Sequence, residues 1–164
     1  MTDSRRRPIG VFDSGIGGLT VVRALMDRLP FEDILYFGDS ARVPYGVKSV
    51  ATIEDFTQQI AEFLLKRQVK ALIIACNTMA AVAAEVVRQV AGDVPVLDVI
   101  DAGARSAVQV SQRASIAVIA TPTTVNSNAY ARAIHHLSPD ARVYSQACPL
   151  FVPLVEEGWL DHPV

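Results

Sequence analysis

Strict alternation of two sequence patterns constrains this chain more than any other feature. Short apolar runs of strand length cover Pro8–Phe12, Asp33–Gly38, Ala71–Ala75, Val94–Val99, Ser115–Ala120 and Arg142–Gln146. Between them lie stretches of helical character, Gly18–Leu29, Ser49–Arg67, Met79–Val90, Ala102–Val110 and Val125–Leu137. In Ser49–Arg67, for example, Ile53, Phe56, Ile60, Phe63 and Leu64 recur at the spacing of one helix face. Pro30 closes the first helix, and Asp101 is placed to cap the fourth. Strands that are apolar throughout, each followed by a helix, are buried on both faces and run parallel. The chain therefore reads as an α/β protein with a doubly wound, mainly parallel sheet. The segment Cys148–Trp159 mixes prolines with apolar residues and takes no regular assignment.

Composition narrows the function classes. With 164 residues, 51% of them hydrophobic and 20% charged, the chain can bury a core as a globular protein. A formal net charge of −2 argues against nucleic acid as a partner. The one basic cluster, Arg5-Arg6-Arg7, lies in a polar terminus and reads as a solvated tail. No apolar run reaches the length of a membrane span, and the amino terminus lacks the core of a secretory signal. The two cysteines, Cys76 and Cys148, make no disulfide framework. Without a C-x-x-C or a Cys/His cluster, no metal site is expected. These features together predict a cytoplasmic protein with free thiols.

No glycine- or serine-rich linker divides the chain, but it carries an internal echo. Ile9–Gly18 and Ile116–Val125 are each a strand, a polar loop and a helix start. The echo places a boundary near Asp98–Ala102. Residues 1–99 would form a nearly complete first domain carrying Cys76, and residues 100–164 the start of a second, similar domain.

The loops after the strands carry the chemistry, because open α/β sheets bind ligands at the carboxyl ends of their strands. Cys76 ends the run Ala71-Leu72-Ile73-Ile74-Ala75 and is followed by Asn77 and Thr78. At a helix amino terminus its thiol would be shifted toward the thiolate; the competing reading is a small buried hydrophobe. The loop Asp13-Ser14-Gly15-Ile16-Gly17-Gly18 suits close backbone approach to an anion. It lacks the lysine of a phosphate-binding P-loop, and Thr20 stands where a dinucleotide loop needs glycine. A small carboxylate fits it better. In Gly38–Gly46, Pro44 fixes the backbone, Gly46 allows close approach, and Tyr45 can cover a ligand with its hydroxyl. No arginine stands six residues after Cys76, and no Gly-x-Ser-x-Gly elbow occurs. His135, His136 and His162 fall outside these loops and are expected at the surface. Asp13 is then the polar partner available to Cys76.

These motifs, in this order, closely resemble those of glutamate racemases. The match rests on Asp13–Gly18, Gly38–Gly46 and Ala75–Thr78, with Thr121-Pro122-Thr123-Thr124 and Ala147–Gly158 in support. Aspartate racemases and other cofactor-independent amino-acid racemases are looser kin. The resemblance implies two similar α/β domains with the substrate between them and no cofactor. It also implies D-glutamate supply for peptidoglycan. One thiolate removes the α-proton and a second thiol reprotonates the opposite face, since inversion needs a proton carrier on each side. The loops must stabilise the developing carbanion. Carried over by position, Cys76 is the first-domain base, with Asp13 tuning the proton transfer. Asp13 and Ser14 contact the substrate, Tyr45 and Gly46 hold its side-chain end, and Asn77 and Thr78 hold the amino-acid head. Thr121 and Thr124 face them from the second domain. Cys148 matches a segment expected to be structural and protected.

Members of that family continue further and carry the second cysteine in a Gly-Cys-Thr-His-Tyr-type motif that does not occur here. The chain is therefore expected to represent the amino-terminal part of such an enzyme, with little turnover by itself. Two other readings stay open: a non-catalytic remnant binding an amino acid or another subunit, and an enzyme using a single thiol; a homodimer is the partner expected besides the small-molecule substrate.

Overall fold

The computed structural model describes residues 6–159 and residue 161; Arg5 and His162 lie outside them. Six strands alternate with helices as expected. The first sheet contains β1 (Ile9–Asp13), β2 (Ile34–Gly38), β3 (Ala71–Ile74) and β4 (Val96–Asp98) in the order β2-β1-β3-β4. All its pairings are parallel, with Ile9 opposite both Ile34 and Ala71, and Leu72 opposite Val96. β1 is central, and all five of its residues are buried.

Pleating sends alternate residues to opposite faces. Ile9 and Val11 point to the side of α1 (Leu19–Arg28), where Val21, Val22 and Leu25 pack on them. Phe12, Leu72 and Ile74 point to the other side, against α2 (Val50–Leu65) and α3 (Asn77–Ala91). That second face holds the main core, with Ile53, Ile60, Leu64, Met79 and Val87 at or near zero exposure. Ser49 caps α2 by accepting from Thr52 N at 3.2 Å.

A second, two-stranded sheet pairs β5 (Ser115–Ala120) with β6 (Arg142–Ala147), again parallel. Between them run α5 (Pro122–Asn126) and α6 (Ala129–Leu137); α4 (Val99–Val110) precedes them. Ala104, Ile116, Ile134 and Ala141 form a small core under α4 and α6. The order strand, helix, parallel neighbour repeats that of β1-α1-β2, so the echo read in the sequence is also an echo of topology.

Three local assignments are corrected. α4 begins directly at Val99, and Asp98, not Asp101, caps it: one carboxylate oxygen accepts from Ile100 N and Asp101 N, each at 3.0 Å. The strand ends at the capping residue itself, so no loop intervenes. The stretch Val125–Leu137 is not one helix. It breaks at Asn128, which adopts φ 56°, a left-handed conformation that asparagine tolerates. Ser127 Oγ bridges the break, donating to Thr124 O at 2.7 Å and accepting from Ala129 N at 3.1 Å. Finally, the unassigned segment after β6 contains a helix, α7 (Phe151–Glu156). No helix of the described residues is long and apolar enough to cross a membrane.

Candidate active site

The strand order fixes where a site can form. From β1 the chain crosses to β2 on one side; from β3 it crosses to β4 on the other. The carboxyl ends of β1 and β3 thus border the crevice at the point where the winding reverses. Asp13 ends β1, and Cys76 follows β3. Asp13 Oδ2 accepts from Gly18 N at 2.7 Å, which folds the glycine loop over the strand end. Ser14 Oγ lies 3.2 Å from Cys76 Sγ, so Ser14 rather than Asp13 is the thiol's direct partner. Cys76 is the N-cap of α3 and also accepts from Met79 N at 3.5 Å.

The thiol is not shifted toward thiolate. Burial, followed by the nearby charge of Asp13, raises its pKa above the ordinary thiol value, and the bonds from Ser14 and Met79 offset this only in part. The helix terminus favours the anion, but Cys76 is only 6% exposed and desolvation of the charged form outweighs it. The raised pKa favours the neutral thiol at neutral pH.

The loop after β2 is also built differently from expectation. Tyr45 is 2% exposed, and its hydroxyl donates to Asp39 Oδ2, which Arg42 Nε meets at 2.6 Å. Burial and the bond to Asp39 push the phenol well above its ordinary range. Tyr45 therefore serves as an internal strut, its hydroxyl already engaged by a buried carboxylate. Gly46 meets the second sheet's loop, its carbonyl accepting from Thr123 Oγ1 at 2.9 Å. Thr78 Oγ1 lies 3.1 Å from Thr121 Oγ1, which in turn lies 3.0 Å from Thr124 Oγ1. Asn77 Oδ1 accepts from Tyr130 Oη at 2.7 Å.

Asp13, Ser14, Tyr45, Gly46, Cys76, Asn77, Thr78 and Thr121 all line one cavity of about 940 Å³ between the two sheets. Thr124 does not; it is buried behind Thr121 and orients it. Among the described residues the lining contains the carboxylates of Asp13, Glu156 and Glu157 and no lysine, arginine or histidine. The donors these described residues offer an anionic ligand group are neutral: hydroxyls, the Asn77 amide and backbone N–H groups. Nowhere among the described residues do three His, Cys, Asp or Glu side chains gather to hold a metal ion.

Residues 17–158 match the Asp/Glu/Hydantoin racemase family. The chain belongs to that family. It is 72% identical over 157 residues to glutamate racemase of Syntrophus aciditrophicus, covering 96% of this chain and 58% of the relative. It is 67% identical over 160 residues to glutamate racemase of Neisseria meningitidis, covering 98% of this chain and 59% of the relative. It superposes on the crystal structure of glutamate racemase from Francisella tularensis in complex with D-glutamate with a TM-score of 0.90. That match has 55% identity and covers 96% of this chain and 59% of the other. The chain thus spans less than three fifths of the length of these racemases.

Other side chains at or beside the cavity were not singled out by sequence. Tyr36 Oη donates to Gly15 O at 3.0 Å and pins the glycine loop from the side of β2. Burial, then Asp13 and Cys76, push its pKa up to about 12. Tyr130 and Glu156 line the cavity from α6 and α7. The tyrosines give no signal, since an apolar ring in a strand or helix reads as core. Cys148, expected to be shielded, is only partly buried and lines the same cavity. His135 and His136 are exposed, as expected.

Proposed function

We propose that this chain supplies the first-domain side of a glutamate racemase site, with Cys76 as the group that exchanges the substrate's α-proton. The observation that carries this reading is the Ser14–Cys76 pair at the strand-end crevice, faced across the cavity by Thr121. A raised thiol pKa suits a resting proton carrier that is charged only when substrate is present. The ammonium group of a bound amino acid would offset the charge of Asp13 and draw the thiol toward thiolate. The same thiolate, close to the α-carbon, could then remove the proton. Asp13 and Ser14 contact the head of the substrate, Asn77, Thr78 and Thr121 receive its α-carboxylate region, and the backbone around Tyr45 and Gly46 holds the distal carboxylate. Thr124 acts through Thr121. The thiol for the opposite face is proposed to come from outside these residues, because Cys148 does not sit in the family's second-cysteine motif. We read the two sheets as the cores of two units meeting near residue 99, and the protein as cytoplasmic, acting in cell-wall precursor synthesis.

Calorimetry with D-glutamate, L-glutamate and acetate tests the binding half of this reading. Glutamate should bind and acetate should not. Asn77→Ala should weaken glutamate binding by about 1.5–3 kcal/mol, the range for a hydrogen bond to a charged group. Binding left unchanged by both Asn77→Ala and Thr121→Ala would contradict the placement of the ligand.

A further inference from the structure

We propose that Tyr130 is a positioning residue: it locks the side-chain amide of Asn77 with its N–H edge toward the cavity, so that Asn77 reads the ligand's α-carboxylate and not its ammonium. The inference rests on the amino-acid site proposed above and adds a residue from the second sheet's helices to it.

The argument starts from what each group can do. A phenol donates one proton, and here Tyr130 Oη gives it to Asn77 Oδ1 at 2.7 Å. That holds the amide oxygen toward the phenol, with one of its two lone pairs occupied, and turns the other end of the amide away from it. That other end is the NH₂, which donates and cannot serve an ammonium group. No partner for that NH₂ is found among the described residues, and both side chains line the cavity. The cavity has no cationic side chain among its described lining, so a fixed neutral donor is what a carboxylate needs there. Asp13, on the opposite side of Cys76 in the chain's winding, provides the acceptor an ammonium needs. Acceptors at the β1 end and donors at the start of α3 would orient an α-amino acid in one sense.

The tyrosine is itself seated. Its ring lies on Gly103 in α4, where a Cβ would fall 3.1 Å from both Cε1 and Oη. Any side chain at that position crowds the ring. Burial and Asp98 raise the phenol's pKa, which keeps it a donor. An unrestrained asparagine could flip its amide and offer either end; the bond from Tyr130 Oη to Oδ1 favours the orientation with NH₂ away from the phenol.

The test has a ligand-free arm and a binding arm. In ¹⁵N–¹H spectra of the full 164-residue chain, the Asn77 side-chain amide pair is assigned by its loss in Asn77→Ala. Tyr130→Phe should shift that pair while leaving the backbone resonances of β1 and β3 in place. Separately, D-glutamate, glutarate and 4-aminobutyrate are titrated calorimetrically. Tyr130→Phe should weaken D-glutamate and glutarate by the same factor, about tenfold, as for one lost hydrogen bond. It should leave 4-aminobutyrate, which lacks the α-carboxylate, unchanged. Gly103→Ala, which favours the helix but lifts the ring, should reproduce the loss without lowering the melting temperature. A loss seen with D-glutamate but not glutarate would show that Asn77 reads the ammonium and would overturn the assignment. An unmoved Asn77 amide pair in Tyr130→Phe would overturn the positioning role. If none of the three ligands binds the unaltered chain, the amino-acid site fails, and the amide spectra still decide whether Tyr130 positions Asn77.

Discussion

Two free thiols line one cavity with opposite surroundings. Cys76 is buried, hydrogen-bonded to Ser14 and held neutral; Cys148 is partly open at the edge of β6. Sequence reasoning located Cys76 from the abrupt end of an apolar strand and a helix start, both local signals. It misjudged the thiol's state because desolvation depends on what packs around it, and those neighbours come from distant segments. The same blindness hid Tyr130, whose partner Asn77 is 53 positions away. Differential alkylation follows from the structure. At neutral pH Cys148 should label first, since access and not helix position limits the reaction. Labelling of Cys76 should rise only as pH climbs above the ordinary thiol range, because its pKa is raised and the thiolate is the nucleophile. Mass mapping of the two peptides from pH 7 to pH 10 checks this; faster labelling of Cys76 at neutral pH would contradict its resting state.

At the scale of elements, alternation in the sequence located the six strands and the helices between them, and the parallel order followed; α7, in the proline-containing segment after β6, carried no such signal. Boundaries were less legible. Asp98 took the capping role assigned to Asp101 because a strand can hand over to a helix with no loop, which no propensity reports. The break at Asn128 depends on Ser127 satisfying the backbone on both sides, a tertiary detail written in two ordinary polar residues. The glycine loop was legible as a close approach, and Gly18 shows why. A Cβ there would fall 2.7 Å from Asp13 Cβ and 3.1 Å from Ala75 Cβ. Gly18→Ala must displace Asp13 from the bond that closes the loop. Overpacking of this kind should cost about 1–3 kcal/mol in a urea titration. It should also weaken glutamate binding, because Asp13 and Ser14 move together. A variant as stable as the parent would mean that the loop yields freely.

The whole molecule is lopsided. Among the described residues, the four-stranded sheet packs on clusters of 18 and three buried residues on its two faces, whereas the two-stranded sheet has a core of four. Apolar Ile119, Tyr144, Leu150, Phe151, Val155 and Trp159 are each more than half exposed near β5, β6 and α7. Local stability follows buried contacts, so native-state hydrogen exchange should show β1 and β3 as the slowest amides and β5 and β6 as markedly faster. Equal protection in both sheets would contradict the division of the core. Yet the small sheet contributes Thr121 to the cavity, so the site joins a firm wall to a softer one.

The central claim is that Cys76 exchanges the α-proton of glutamate in that cavity. Proton NMR of D- and L-glutamate in deuterium oxide, with polarimetry alongside, tests it most directly on chain whose mass is confirmed. The predicted result is slow loss of the α-proton signal from one enantiomer, little change in optical rotation, and no loss with Cys76→Ala. Exchange that persists in Cys76→Ala, or rapid inversion by the 164-residue chain, would contradict it.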